Sequence, residues 1–163
     1  DRAREGYTHW DMVLMGWKYN MSNIEAAFLL PQFDRIETKW CKRRELASLY
    51  RERLANVGGI TLPADSAPSD RHGLHLFPVW LDGPDRDQII SEMQDKEVEV
   101  VVNYRSIHLM QYFQDNFGYK RGAFPVAEKI GDMTLSLPFY PDMGIEVINI
   151  VANRLEDAIL QVS

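Results

Sequence analysis

Apolar positions recur at Ile24, Phe28, Phe33, Ile36, Trp40, Leu46 and Leu54. This near-helical spacing predicts one long helix over residues 22–57. Its start is marked by Ser22 and Glu25, a capping box. The Ser22 hydroxyl can accept from the amide three residues on, and Glu25 can reach back to the cap. Pro31 lies inside the stretch and lacks a backbone donor, so the helix is expected to kink or split there. Residues 39–53 are dense in Lys, Arg and Glu and read as a solvated face. Gly58-Gly59 ends the helix. Residues 1–21 mix charges and aromatics without a period.

Beyond the glycines the period shortens. Residues 61–73 hold prolines, Asp and Ser and read as a loop. Residues 74–82 (LHLFPVWLD) read as a strand, with Pro78 expected at an edge or bulge. Residues 85–96 form a helix with Ile89, Ile90 and Met93 on its apolar side. Residues 97–104 (EVEVVVNY) read as a second strand. Short helices are expected over 108–117 and 125–130, a short strand over 133–137, and a turn over 138–144. Residues 145–162 carry Ile148, Val151, Leu155, Ile159 and Val162 on one helical stripe. The strands are few and short. The fold class is therefore α+β with a small, mostly antiparallel sheet. The segments group as residues 1–21, the helix of 22–57, and a small α+β domain over 58–163.

Composition narrows the function classes. The chain has 163 residues and a formal charge of −6, which disfavours a binder of nucleic-acid backbones. No apolar run approaches the roughly 20 residues of a membrane span. The single cysteine, Cys41, excludes an internal disulfide and fits a reducing, cytoplasmic compartment. The first residues, DRAREGYTHW, carry neither an initiator Met nor an apolar signal core, and read like the middle of a longer protein.

Candidate chemistry is sparse. His72 and His75 are three apart at a loop-to-strand junction, where such residues point to opposite faces, so no metal site is expected. Cys41 sits among Lys39, Lys42, Arg43 and Arg44, without a base to activate it. Residues 16–22 (GWKYNMS) are more informative. They set Lys18 and Asn20 directly before a capped helix start, a place suited to a phosphate or carboxylate. The plainer reading is an aromatic loop packed on its own helix. His108, just past the end of a strand, is either a polar contact to a ligand or a cap on the next helix.

The block GWKYNMSNIEAAFLLPQFDRIE, followed by RRELASLYRERL, resembles the DegT/StrS-type sugar aminotransferases. LHLFPVWLD, VNYRSIHLMQYF and LSLPFYPDM match the same family in the same order, so the resemblance spans nearly the whole chain. The KYN variant most resembles the branch that makes UDP-4-amino-4-deoxy-L-arabinose for lipid A modification, or close 4-keto-sugar relatives.

The resemblance implies a pyridoxal-phosphate enzyme of the aspartate-aminotransferase fold, fold type I. This chain would be its C-terminal part, with residues 1–21 closing the large domain and a long helix leading into the small one. It implies transfer of an amino group from glutamate to a nucleotide-linked keto-sugar, in a homodimer with active sites at the subunit boundary. Asn20, and second to it Lys18, match the loop that reaches the partner's cofactor phosphate. His108 matches a histidine on the substrate side of the cofactor, as a sugar or carboxylate contact. The family's Schiff-base lysine lies in a serine-rich segment ahead of a Gly-Glu-Gly-Gly-like turn. Lys18, Lys39, Lys42, Lys96, Lys120 and Lys129 all lack that context, so no catalytic residue is assigned and the isolated chain is expected to be inactive. The alternative within the family is a non-catalytic sensor or dimerisation module.

Overall fold

A computed structural model of the chain describes Trp17 and residues 19–162. The chain divides into two compact units between Arg35 and Ile36. The first unit holds one described helix, α1 (Asn23–Phe33). Ser22 caps it as the sequence suggests. The Glu25 amide donates to Ser22 Oγ at 3.2 Å, and the Ser22 amide donates to Glu25 Oε2 at 2.8 Å. Pro31 lies inside α1, and the helix ends two residues beyond it. None of its residues is buried.

The second unit opens with α2 (Ile36–Leu54). The helical stretch is thus split in two, one of the two outcomes Pro31 foretells, and α2 groups with the residues that follow it. Only the C-terminal half of α2 is buried, through Leu46, Ala47, Tyr50 and Leu54. Nearer its start, the Trp40 ring is met by two guanidinium groups, Arg44 at 4.8 Å and Arg71 at 4.2 Å. Its indole N–H donates to the His72 carbonyl at 2.8 Å, which ties the 61–73 loop down onto α2.

Three antiparallel strands follow in the order β1 (Ile60–Thr61), β2 (Phe77–Leu81), β3 (Thr134–Leu137). β2 alternates buried and half-buried residues, as a strand with one inward face must. Pro78 stands in this central strand, opposite Ser136. Ser136 turns both its backbone groups to Val101, so Leu135 and Leu137 carry the ladder to β2. The Pro78 nitrogen therefore faces the other side, where β1 reaches only Trp80 and Leu81. Locally it is an edge, and the missing donor costs no ladder bond.

The expected strand over 97–104 is a correction. Its burial does alternate, with Val98 and Val100 inside and Glu97, Glu99 and Val101 outside. Only Val101 pairs, in one bridge to Ser136. In that register the next hydrogen-bonded partners are 99 with 138 and 103 with 134. Pro138 has no N–H to give. The Thr134 N–H is committed to the Ile130 carbonyl at the end of a helix. The ladder is blocked at both ends.

The remaining helices are α3 (Arg86–Asp95), α4 (Gln111–Phe117), α5 (Pro125–Met133) and α6 (Ile145–Val162), with a 3-10 turn at Ile107–Leu109. α6 buries Ile148, Val151, Ala152, Leu155, Ala158 and Ile159; the expected stripe gains two alanines, and its last member, Val162, is half-buried. One core joins α2, β2, α3, β3 and α6. Each large aliphatic side chain buried there contributes roughly 1.5–3 kcal/mol. The α+β class with a small antiparallel sheet is what the structure contains. No helix among the described residues is long and apolar enough to cross a membrane.

Candidate functional site

The loop ahead of α1 presents its side chains outward. Trp17 is 84% exposed and Tyr19 86%, and Asn20 between Tyr19 and Met21 is exposed too. Lys18 lies outside the described residues. Tyr19, Asn20, Met21, Glu25, Phe28 and Leu29 line an open hollow of about 550 Å³. The packed aromatic loop that would have been the plainer outcome is not what Tyr19 and Asn20 show.

What this hollow can hold follows from the cap. Ser22 Oγ occupies the Glu25 amide, and the Glu25 carboxylate occupies the Ser22 amide. Those bonds keep Glu25 ionised below the usual glutamate range, the Ser22 amide first and its hydroxyl second. The helix start therefore already carries its own anion. A phosphate here could be met by the Asn20 side-chain amide, with the Ser22 and Glu25 amides already taken. The donor chemistry fits, with a cation needed to offset Glu25.

The second place lies in the other unit and is described on its own. His108 stands in the 3-10 turn, is 7% exposed, and does not cap α4. Its Nε2 is 2.9 Å from Glu128 Oε1 on α5. Glu128 is equally buried, 6% exposed. It also accepts from the Gly122 amide, at 2.8 Å to Oε1 and 2.9 Å to Oε2, and from the Phe124 amide at 3.1 Å. The Gly122 amide is the main cause holding this carboxyl below the ordinary glutamate value, with His108 and Phe124 adding to it against the opposing effect of burial. Phe124 meets the His108 ring edge-on at 4.9 Å, and Tyr119 does so at 6.4 Å. Arg121 pairs with Asp132 at 2.7 Å and lies 3.9 Å from Glu128.

Local sequence explains the arrangement. Gly122 adopts φ +95°, a conformation side chains resist, and so turns its amide toward Glu128. Pro125 starts α5 at a position where no amide is needed, and Glu128 sits one turn on. Sequence reasoning missed Glu128. The one available signal was a carboxylate on α5 three residues past a starting proline.

His72 Nδ1 accepts the Leu74 amide at 3.0 Å and His75 is exposed. Among the described residues no group of three or more His, Cys, Asp or Glu side chains is placed to hold a metal. Cys41 is exposed on α2.

Known proteins resemble this chain along most of its length. The spore coat polysaccharide biosynthesis protein SpsC of Bacillus subtilis is 29% identical over 162 residues, covering 96% of this chain and 41% of SpsC. The UDP-4-amino-4-deoxy-L-arabinose–oxoglutarate aminotransferase of Shewanella sediminis is 30% identical over 157 residues, 91% of this chain and 40% of that enzyme. Among solved structures, the putative sugar aminotransferase Spr1654 of Streptococcus pneumoniae in its PMP form superposes with a TM-score of 0.84 at 22% identity, covering 95% of this chain and 39% of that one. The chain thus spans about two fifths of the relatives it matches. A profile of the DegT/DnrJ/EryC1/StrS aminotransferases runs from residue 2 to residue 156, through the Asn20 loop and the His108–Glu128 pair alike, and the chain belongs to that family.

Proposed function

We propose that the protein carrying this chain is a pyridoxal-phosphate aminotransferase that moves an amino group from glutamate to a nucleotide-linked keto-sugar. The product would enter a cell-surface polysaccharide or a lipid A sugar. The observation that carries the reading is the family match over residues 2–156, a range that includes all the segments that resemble the family. The named relatives in polysaccharide and aminoarabinose synthesis support the substrate class.

Bound pyridoxal phosphate supplies the aldehyde that carries nitrogen between donor and acceptor. This chain's own residues bind and orient. Asn20 donates its side-chain amide to the cofactor phosphate across a homodimer boundary, with Lys18 as the second donor. His108 contacts the sugar. Its Nε2 is engaged by Glu128, so Nδ1 is the ring nitrogen left for a ligand. The six lysines lack the Schiff-base context, so the isolated chain is inactive and the lysine is contributed by other residues of the enzyme. Exposed apolar side chains on α1, Phe28 at 72% and Phe33 at 71% among them, support a homodimer. The reading places the enzyme in the cytoplasm.

The test uses the full-length protein with pyridoxal phosphate and ¹⁵N-glutamate. Addition of glutamate should convert the cofactor spectrum to the amine form. A UDP-linked 4-keto-sugar should then restore it and take up the label. A folded dimer that shows no glutamate-dependent spectral change would overturn this reading in favour of a sensor or dimerisation module.

A further inference from the structure

The His108–Glu128 pair is more specific than a buried ion pair needs to be. The Glu128 carboxylate receives the Nε2 contact at 2.9 Å together with the amides of Gly122 and Phe124. A carboxylate held by two backbone amides is ionised and accepts only, so the proton in the 2.9 Å contact belongs to His108 Nε2. The charged groups facing the pair are few. Arg121 stands 3.9 Å from Oε2 on the outer side and is itself held by Asp132. Phe124 and Tyr119 close the ring from two directions, edge to face, and restrict its rotation.

The backbone around the pair is fixed as firmly as the side chains. Ser106, two residues before His108, donates its hydroxyl to the Ala127 carbonyl at 2.8 Å. Ala127 directly precedes Glu128 on α5. The turn and the helix are thus pinned at adjoining residues on both sides.

We infer that Glu128 is a positioning residue for His108: it holds the Nε2 proton and so directs the other ring nitrogen to the keto-sugar. The second half of this inference rests on the proposed sugar contact of His108; the first half does not. A histidine bound in this way presents one defined nitrogen, whereas a free imidazole exchanges its proton between two. The expected result is a sugar site whose hydrogen-bonding sense is set before the substrate arrives.

The experiment is nitrogen-15 NMR of histidine-labelled full-length protein, followed by kinetics. Wild type should show a His108 Nε2–H signal visible in water and shifted downfield by its carboxylate partner. Glu128→Gln keeps an acceptor oxygen for the Gly122 and Phe124 amides and removes the charge, and should move that signal upfield. The same variant should raise the KM for the keto-sugar roughly tenfold, about one hydrogen bond's worth. An Nδ1–H signal from His108 in wild type, or no protected ring N–H, overturns the inference whatever the kinetics. A protected Nε2–H that responds to Glu128→Gln, with His108→Phe leaving the keto-sugar KM unchanged, instead keeps the positioning and removes the sugar contact.

Discussion

Ser106 stands so close to Gly131 that no side chain fits between them. A Cβ on Gly131 would lie 2.5 Å from Ser106 Oγ and 2.8 Å from the Ser106 amide nitrogen. The second of these is backbone and cannot swing aside. Gly131 lies on α5 three residues past Glu128, so this contact sets how closely α5 approaches the His108 turn. Gly131→Ala should destabilise the protein by about 1–3 kcal/mol, the usual cost of overpacking. The denaturant midpoint measures it, and a midpoint equal to wild type would show that the two segments separate freely. The His108–Glu128 distance should lengthen in the same variant, visible as loss of the protected ring N–H.

Tyr50 joins the other end of the core. It is fully buried on α2, stacks on Phe77 at 4.7 Å, and donates its hydroxyl to the Pro138 carbonyl at 3.0 Å. Burial pushes its phenol well above the ordinary range, with Tyr140 adding to the shift, so it remains a donor at any working pH. Tyr50→Phe keeps the ring and strands the carbonyl. The expected loss is about 1–3 kcal/mol, read from chemical denaturation. No loss would mean that water replaces the hydroxyl.

The parts legible in the sequence are those governed by neighbours along the chain. Ser22 and Glu25 specify a cap within four residues, and α6 shows its buried face in the spacing of Ile148, Val151, Leu155 and Ile159. Residues 97–104 read as a strand and Val98 and Val100 do turn inward, yet no strand forms there. The deciding facts were a proline and a committed amide about 35 residues away, at Pro138 and Thr134. Ile24, Phe28 and Phe33 recur at near-helical spacing and do lie on a helix, and within this chain they are exposed. The His108–Glu128 pair was illegible for the same reason as the missing strand. Its partners are 20 residues apart, and nothing local to either one names the other.

Acid should reveal Glu128. Its folded-state pKa is lowered, chiefly by the Gly122 amide, then by His108 and the Phe124 amide. Stability from this group is fully present above the ordinary glutamate value of 4.5 and is lost as pH falls through the lower folded value. Asp132, lowered chiefly by its hydrogen bond to Arg121, acts in the same direction below its ordinary 3.8. The thermal midpoint should therefore drop below about pH 4.5, and Glu128→Gln should flatten that part of the profile. An acid limb identical in the two proteins would assign the loss to other carboxylates.

Asn20 separates folding from binding. Its side chain is exposed ahead of α1, and the cap that secures the helix is made by Ser22 and Glu25 without it. Asn20→Ala should therefore leave the unfolding free energy of the cofactor-free protein within about 0.5 kcal/mol of wild type. If Asn20 donates to the cofactor phosphate, the same change removes a hydrogen bond to a charged group. Such bonds contribute roughly 1.5–3 kcal/mol, a loss of about tenfold or more in cofactor affinity. Equilibrium dialysis of pyridoxal phosphate against the full-length protein measures the second effect independently of turnover. Lys18→Ala, measured alongside, ranks the two donors. A cofactor affinity lowered by Lys18→Ala and untouched by Asn20→Ala would reverse their order. The exposed Glu25 then gives the reason, because a cation offsets its charge where a neutral amide cannot.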